Sequence, residues 1–177
     1  MNPLELIDRY CANEKQKHIL LTHSRAVADK ALEIARNHPE LNADEKFVEE
    51  AALLHDIGCV KVNAPAIECY GTESYIRHGI LGAEMLRSEG LERHALVCER
   101  HTGTGLTLQQ IVEQGLPLPH QDMQPVSVEE QIICFADKFF SKTRLDSEKT
   151  MEQARRSLEK FGAGGLTKFD AWCKKFL

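Results

Sequence analysis

Residues 47–58 read FVEEAALLHDIG, and this stretch decides the fold. Its apolar side chains recur at intervals of three and four residues, which predicts an amphipathic helix, and Gly58 is typical of a helix end. His55 and Asp56 follow the apolar positions on the inward side of that helix. A buried, ionised carboxylate without a partner is costly. We therefore expect Asp56 to be protonated, paired with cationic side chains or bound to a metal ion.

The same spacing continues along almost the whole chain and predicts an all-α fold. We expect a single compact bundle of about seven to nine helices, and nothing in the pattern requires a sheet. Asn42 and Glu45 resemble a capping box that opens the helix containing His55. The predicted helices span residues 3–11, 16–37, 42–55, 76–88, 91–101, 107–113, 127–142, 148–161 and 167–176. Irregular loops are expected at 59–72 and 115–125.

Two more helices direct candidate ligands toward the core. His23 lies on the otherwise apolar stripe of a long helix, and Asp137 is flanked by apolar residues at helical spacing. With His55 and Asp56, they place two imidazoles and two carboxylates inward from three helices. Nitrogen and oxygen donors without sulfur suit a divalent ion. These four side chains are therefore candidate metal ligands.

Two further histidines extend this set. His78 opens one predicted helix and His101 closes the next. The intervals between all these residues are tertiary rather than local, so no single spacing is specific for a metal. A histidine on an apolar helix face is also compatible with a hydrogen-bonded core residue. Both interpretations of His78 and His101 stay open at this point.

Composition limits the classes of function. A chain of 177 residues fits one domain, and its 22 basic and 27 acidic residues, a net charge of −5, argue against nucleic acid as a main partner. A small anionic substrate stays compatible with that charge. The longest apolar run is five residues, so we expect no membrane span. The six cysteines form no CxxC pair and the start resembles no signal peptide, so we expect reduced thiols, no disulfide and a cytoplasmic location. A homo-oligomer stays open.

The order H…HD…H…H…D, with the strings LLHDIG and ADKFFSKTR, resembles the HD-domain (HDIG) metal-dependent phosphohydrolase superfamily. The resemblance runs from about residue 20 to 144, and it is similar both to small uncharacterised HDIG proteins and to HD-type symmetrical diadenosine tetraphosphatases. It implies one HD domain across residues 1–177, with the motifs in 20–144 and additional helices in 148–177. The implied fold is the HD-domain helical bundle.

The resemblance also implies a metal site. In such a site His23, His55, Asp56 and Asp137 hold one ion, while His78 and His101 help to hold a second. Asp56 is then the catalytic carboxylate that bridges the two positions. Iron or manganese is expected in one or both positions, and magnesium, nickel, cobalt or zinc stay open.

The implied reaction is hydrolysis of a phosphate ester or anhydride by a metal-activated water. The substrate class is a nucleotide or another small phosphorylated metabolite. Because such a substrate must meet positive charge beyond the metal, we expect phosphate contacts from Lys61, Lys138 and Arg144. Arg77 and Arg100 each precede a candidate ligand, and they are either further contacts or solvated helix residues.

The chain departs from these relatives in two places. The lysine that often follows HDIG directly is displaced here to Lys61, and the segment 107–126 adds a helix and a Pro-rich loop. The GYP string of the cyclic-dinucleotide branch is absent, which argues against that activity. Two other functions stay open: a di-iron HD-type oxygenase, and a sensor that binds metal and nucleotide without catalysis.

Overall fold

The computed structural model describes residues 2–177, and within them the chain is mostly helical. The α-helices of this part span Pro3–Tyr10 (α1), Glu14–Asn37 (α2), Glu45–Leu54 (α3), His78–Ser88 (α4), Glu92–Arg100 (α5), Leu108–Glu113 (α6), Val128–Asp137 (α7), Met151–Ser157 (α8) and Ala163–Phe176 (α9). Short 3₁₀ segments span Pro39–Leu41, Ile57–Lys61, Pro65–Ile67, Tyr75–Arg77 and Glu159–Phe161. The all-α fold predicted from the sequence is confirmed. None of the helices between residues 2 and 177 has the length and apolar character that crossing a bilayer requires.

A small hairpin occupies part of the segment predicted to be irregular. Asn63–Ala64 (β1) pairs antiparallel with Cys69–Tyr70 (β2). Gly71 N donates to Val62 O beside this pair, so the hairpin lies next to the 3₁₀ turn that begins within the HDIG motif. Two residues per strand are too few to form a sheet layer of their own. The hairpin therefore leaves the helical class of the fold unchanged.

The longest helix, α2, packs against α3 and α7 and forms the centre of the bundle. Val27 and Ala31 of α2 meet Val48 and Ala51 of α3 in one core cluster, and all four are fully buried. Small alanine side chains let the helix axes approach closely. This packing places the middle of α2 beside the carboxyl-terminal ends of α3 and α7, where the candidate ligands lie.

The last helix belongs to the same core. Phe169, Trp172 and Phe176 of α9 surround Phe135 of α7, with ring centroids 5.3, 6.4 and 5.5 Å apart respectively. Aromatic side chains of this size contribute strongly to core packing. The C-terminal helix is therefore packed against the helix that carries Asp137.

The start of α3 differs from the predicted capping box. Asp44, not Asn42, caps the helix, and its carboxylate accepts a hydrogen bond of 3.1 Å from Phe47 N. Asn42 instead adopts a left-handed conformation with φ 49° after a 3₁₀ turn. Asn tolerates this conformation better than most residues because its short polar side chain bonds locally.

Gly58 also has a different role from the predicted one. The helix α3 ends at Leu54, and Gly58 lies in the following 3₁₀ turn against α4. A Cβ atom on Gly58 would lie 2.0 Å from His78 O and 2.3 Å from Gly82 N, so only glycine permits this approach. The glycine of HDIG thus brings His78 close to the His55–Asp56 pair.

Gly58→Ala is expected to destabilise the protein strongly, because the clash is with backbone atoms that cannot rotate away. We expect a loss of about 3 kcal/mol or more in the free energy of unfolding, measured by urea denaturation. Gly164→Ala in α9 is the matched control, since a Cβ there meets nothing within 4 Å. The control should be neutral or slightly stabilising. Equal stability of both variants would contradict the close packing of α4 on the HDIG turn.

The helix α7 ends at Asp137, five residues earlier than the predicted end at Lys142. The reason is that Lys149, which returns from the next segment, takes the carbonyl groups that further helical turns would use. Its backbone N donates to Phe139 O at 2.7 Å, and its Nζ lies 3.3 Å from Lys138 O and 3.4 Å from Phe140 O. The chain after Asp137 therefore turns back over the site instead of continuing along the helix axis.

Candidate metal centre

Four side chains from three helical segments converge where the middle of α2 meets the C-terminal ends of α3 and α7. His23 Nε2 lies 3.1 Å from Asp56 Oδ2 and 3.1 Å from Asp137 Oδ1, while His55 Nε2 lies 3.0 Å from the same Asp56 oxygen. One donor atom from each of the four residues falls within 4.8 Å of all the others. His55 and Asp56 are almost completely buried. The structure thus brings together the four residues predicted as the first ligand group.

A second group shares Asp56 with the first. His78 Nε2 lies 3.5 Å and His101 Nε2 lies 3.4 Å from Asp56 Oδ1, the oxygen that faces away from His23. The two imidazole nitrogens are themselves 3.0 Å apart. His78 begins α4 and His101 follows α5, so both lie at helix ends that meet above the HDIG turn. Asp56 is therefore common to two ligand groups.

Backbone carbonyls orient three of the four imidazoles. The Nδ1 atom of His55 lies 2.6 Å from Ala52 O, and the Nδ1 atoms of His78 and His101 lie 2.7 Å from the carbonyl three residues before each. A carbonyl only accepts, so Nδ1 must carry the proton in each ring. The Nε2 atoms of His78 and His101 are then free to ligate a cation. At His55 burial lowers the pKa, but the carboxylates of Asp56 and Asp137 outweigh burial and raise the pKa to about 10, so its Nε2 would lose a proton on ligating a cation.

The residues of the second group fit a divalent ion. Burial lowers the pKa of His78 to about 3, and burial likewise lowers the pKa of His101, so both rings are neutral near pH 7. With their protons on Nδ1, the two facing Nε2 atoms cannot donate to each other and direct two lone pairs at the same space. A cation between them would turn this repulsion into two bonds. The donor set of imidazole nitrogens and carboxylate oxygens suits first-row divalent metals.

Two lysines accompany the carboxylates. Lys138 Nζ lies 2.7 Å from Asp137 Oδ2, and Lys142 Nζ lies 2.5 Å from Asp56 Oδ2. Burial alone would raise the pKa of both carboxyls. His55 and Lys142 outweigh burial at Asp56, and Lys138 and the neighbouring imidazoles outweigh it at Asp137, so both pKa values lie well below the usual range. Both carboxylates are therefore ionised and available as ligands.

Lys142 is a site residue that sequence reasoning missed. Five residues separate it from Asp137, and on a continuous helix that interval would turn its side chain about 140° away. Because α7 ends at Asp137, the chain instead folds Lys142 back onto Asp56. The only sequence signal for this role was the place of Lys142 in the string ADKFFSKTR. The helix predicted through residue 142 placed its side chain on another face, so the role was not recognised.

The other predicted phosphate contacts lie in different places. Lys138 is at the site and also donates to His101 O at 2.9 Å. Lys61 is exposed and does not line the cavity above the ligands. Arg144 is exposed as well and lines a neighbouring cavity, because the chain leaves the helical path after Asp137.

Arg77 and Arg100 form ion pairs with nearby glutamates and are not phosphate contacts at the ligands. Arg77 Nε lies 3.0 Å from Glu73 Oε2, and Arg100 Nη1 lies 3.0 Å from Glu130 Oε2. Glu130 also closes the capping box of α7 with Ser127. Both arginines are thus paired with carboxylates of their own neighbourhood rather than directed at the ligands.

A cavity of about 390 Å³ opens above the ligand groups. His23, His78, His101 and Asp137 form its base. This volume lies in the range of small-molecule sites. A ligand in the cavity would therefore reach the two groups that share Asp56.

Fold and site together define a class: a helical protein in which histidines and aspartates from separate helix ends form two ligand groups around a shared carboxylate. The chain belongs to the HD domain family, whose profile matches residues 20–141. This match contains all six predicted ligands, and the resemblance seen in the sequence is confirmed. No solved structure shows significant similarity to the chain.

The chain is similar to three archaeal proteins. An uncharacterised protein of Methanocaldococcus jannaschii is 31% identical over 89% of this chain and 85% of its own length. A tRNA (cytidine(56)-2′-O)-methyltransferase of Thermoplasma volcanium is 32% identical over 86% of the chain, and one of Picrophilus torridus is 33% identical over 75%. The matched regions span only 40% and 35% of those two relatives.

A double substitution tests the second ligand group. His78→Ala with His101→Ala is expected to reduce bound metal from about two equivalents to about one, measured by elemental analysis of the purified protein. His94→Ala is the matched control, because His94 is a largely buried imidazole that packs on Phe47 outside the site. Unchanged metal content in the double variant would make His78 and His101 packing residues.

Proposed function

We propose that this chain is a metal-dependent phosphohydrolase, which hydrolyses a phosphate ester or anhydride of a nucleotide or a small phosphorylated metabolite. One observation carries the proposal: two ligand groups share the Asp56 carboxylate at the base of a cavity into which lysines project. Membership of the HD domain family supports the same reaction class. The ligand sets suit one or two divalent ions, and the resemblance to HD-domain phosphohydrolases implies iron or manganese first.

A bound divalent ion would supply a water molecule that ionises near neutral pH, which is the nucleophile such a reaction needs. The chain's own residues would hold and orient the reactants. Lys138 is held between Asp137 Oδ2 and His101 O, so its ammonium group has a defined position beside the ligands. Lys138 and Lys142 would donate hydrogen bonds to the phosphoryl oxygens and balance the negative charge that grows on them. Asp56 would fix the positions of the two ligand groups relative to each other, because one of its carboxylate oxygens lies at each group.

Two relatives are named tRNA methyltransferases, which raises RNA as a substrate. We do not include RNA in the proposed substrate class. Those relatives are more than twice as long as the region they share with this chain. The chain has an excess of acidic residues, with a net charge of −5, whereas nucleic-acid binding depends on basic surfaces. A small phosphorylated molecule fits the cavity of about 390 Å³ better.

The proposal also treats residues 1–177 as one HD domain. The packing of Phe169, Trp172 and Phe176 on Phe135 supports this, because α9 shares its core with α7. A cytoplasmic location stays a prediction from the sequence.

Metal analysis followed by a phosphatase panel tests the function. We expect bound iron or manganese, and metal-dependent release of phosphate from at least one nucleotide or dinucleoside polyphosphate. Oxygen uptake is recorded in the same samples. Oxygen consumption by an iron-loaded protein that releases no phosphate would favour the oxygenase instead. Nucleotide binding without turnover would favour the sensor, and either result would overturn the proposal.

A further inference from the structure

Part of the cavity wall is built by residues that follow the region matched by the HD family. The family match ends at residue 141, and the cavity wall continues with Lys142, Lys149, Leu158, Lys160 and Phe161. The region matched by the family thus provides the candidate metal ligands, while the segment after residue 141 provides a wall of the cavity together with residues such as Ala64 and Ala66, which lie within the match. Side chains of this wall are therefore candidate determinants of substrate specificity.

This wall carries positive charge beyond what the ligands neutralise. Lys138 and Lys142 are paired with Asp137 and Asp56, but Lys149 and Lys160 have no carboxylate within 4.0 Å among residues 2–177. Lys149 Nζ contacts only backbone carbonyls, at 3.3 and 3.4 Å. Burial lowers the pKa of Lys149, and nearby Lys138 and Lys160 lower it further against the opposing charge of Asp137. An anion between these lysines would relieve their mutual repulsion.

Contacts of Phe161 hold this wall against the residues that follow His101. The ring of Phe161 covers Gly103, where an added Cβ would lie 3.1 Å from the ring, and Gln110 Nε2 donates to Phe161 O at 2.9 Å. Gly103 follows His101 by two residues and has φ 61°, which favours glycine. The backbone next to Lys160 is therefore held beside the residues that follow His101 of the second ligand group.

We infer that Lys149 and Lys160 form a second anion subsite in this wall of the cavity, which holds a phosphate group other than the one being hydrolysed. The preferred substrate is then a small molecule with at least two phosphate groups. Phe140, Leu158 and Phe161 line the same cavity and leave an apolar surface for its organic part. The inference rests on the proposed phosphohydrolase function and adds the substrate class.

Binding of two non-hydrolysable ligands tests the subsite. The probes are α,β-methylene adenosine diphosphate and an adenosine 5′-monophosphonate, titrated calorimetrically into the full-length, metal-loaded protein. We expect the diphosphate analogue to bind at least about tenfold more tightly, because charge-assisted contacts to phosphate are the strong ones. Lys160→Met should reduce this affinity ratio about five- to tenfold. Lys160 is exposed, so its replacement should leave the fold intact.

Two further variants complete the test. Lys149→Gln should reduce the ratio in the same direction, with folding checked by circular dichroism because Lys149 also binds backbone carbonyls. Lys46→Met is the control, since Lys46 is an exposed lysine in the first turn of α3, at the end remote from His55. Equal ratios in wild type and Lys160→Met, or a wild-type ratio near one, would overturn the subsite. The two proposals can also fail separately. If the affinity ratio depends on Lys149 and Lys160 but the protein releases no phosphate in the phosphatase panel, the proposed function is overturned and the anion subsite is retained.

Discussion

Replacing Asp56 by Asn is expected to lower kcat/KM for phosphate release by about a thousandfold or more and to reduce metal binding at both ligand groups. Asp56 is the one residue common to both groups, with Oδ2 near His23 and His55 and Oδ1 near His78 and His101. Asn preserves the volume of the side chain. It removes the negative charge and replaces one donor oxygen by an NH₂ group that cannot ligate a cation.

Glu99→Gln is the control for this substitution. Glu99 is another buried carboxylate, bound by Arg87 at 2.8 Å and by Gln121 at 3.0 Å, and it belongs to neither ligand group. Its loss should lower stability without changing the metal content. Activity and bound metal are measured on the same preparations. An Asp56→Asn protein that keeps its metal and at least a tenth of its activity would refute the shared-ligand site.

Removal of metal is expected to lower the melting temperature by about 5–11 °C for each ion that is bound. An ion present at about 100 times its Kd stabilises the folded state by about 2.7 kcal/mol per site, and a domain of this size loses about 2–4 °C per kcal/mol. The measurement is differential scanning calorimetry before and after chelation, with metal restored in a third scan. An unchanged melting curve from protein with demonstrably empty sites would count against the metal centre.

Lys142 is expected to limit the loss of stability when metal is removed. Because this lysine lies on Asp56, the metal-free protein keeps one counter-charge for that carboxylate. Lys142→Met should therefore increase the drop in melting temperature on chelation, while the metal-loaded variant stays close to wild type. Lys17→Met is the matched control, since Lys17 is also 2.5 Å from a carboxylate, that of Asp8, but at the surface. Identical chelation effects in both variants would remove Lys142 from the electrostatics of the site.

Residues that interrupt an apolar helical stripe were visible in the sequence. His23 and Asp137 occupy core-facing positions that apolar side chains would otherwise fill, and His55 and Asp56 end an inward face. Such interruptions are informative because a helix places residues on one face at a known interval. The ligand types and the helical class followed from this local rule.

The ends of elements were not visible in the same way. The sequence placed the end of α7 at Lys142 and the cap of α3 at Asn42, whereas the structure has Asp137 and Asp44. Periodicity continues through Phe139 and Phe140 because both side chains are apolar, yet their backbone carbonyls bond to Lys149. A competing partner from a distant part of the chain leaves no mark on local periodicity.

By itself the sequence determined the helical fold, the inward histidines and aspartates and the kind of ion they suit, since each depends on residue type and local spacing. Only the tertiary structure decided that Asp56 serves two ligand groups, that Lys142 folds back onto it and that Lys149 and Lys160 lie in the wall of the cavity. These relations join residues up to 114 positions apart in the chain. Their geometry depends on how helix ends and turns pack, and a one-dimensional pattern does not encode those distances.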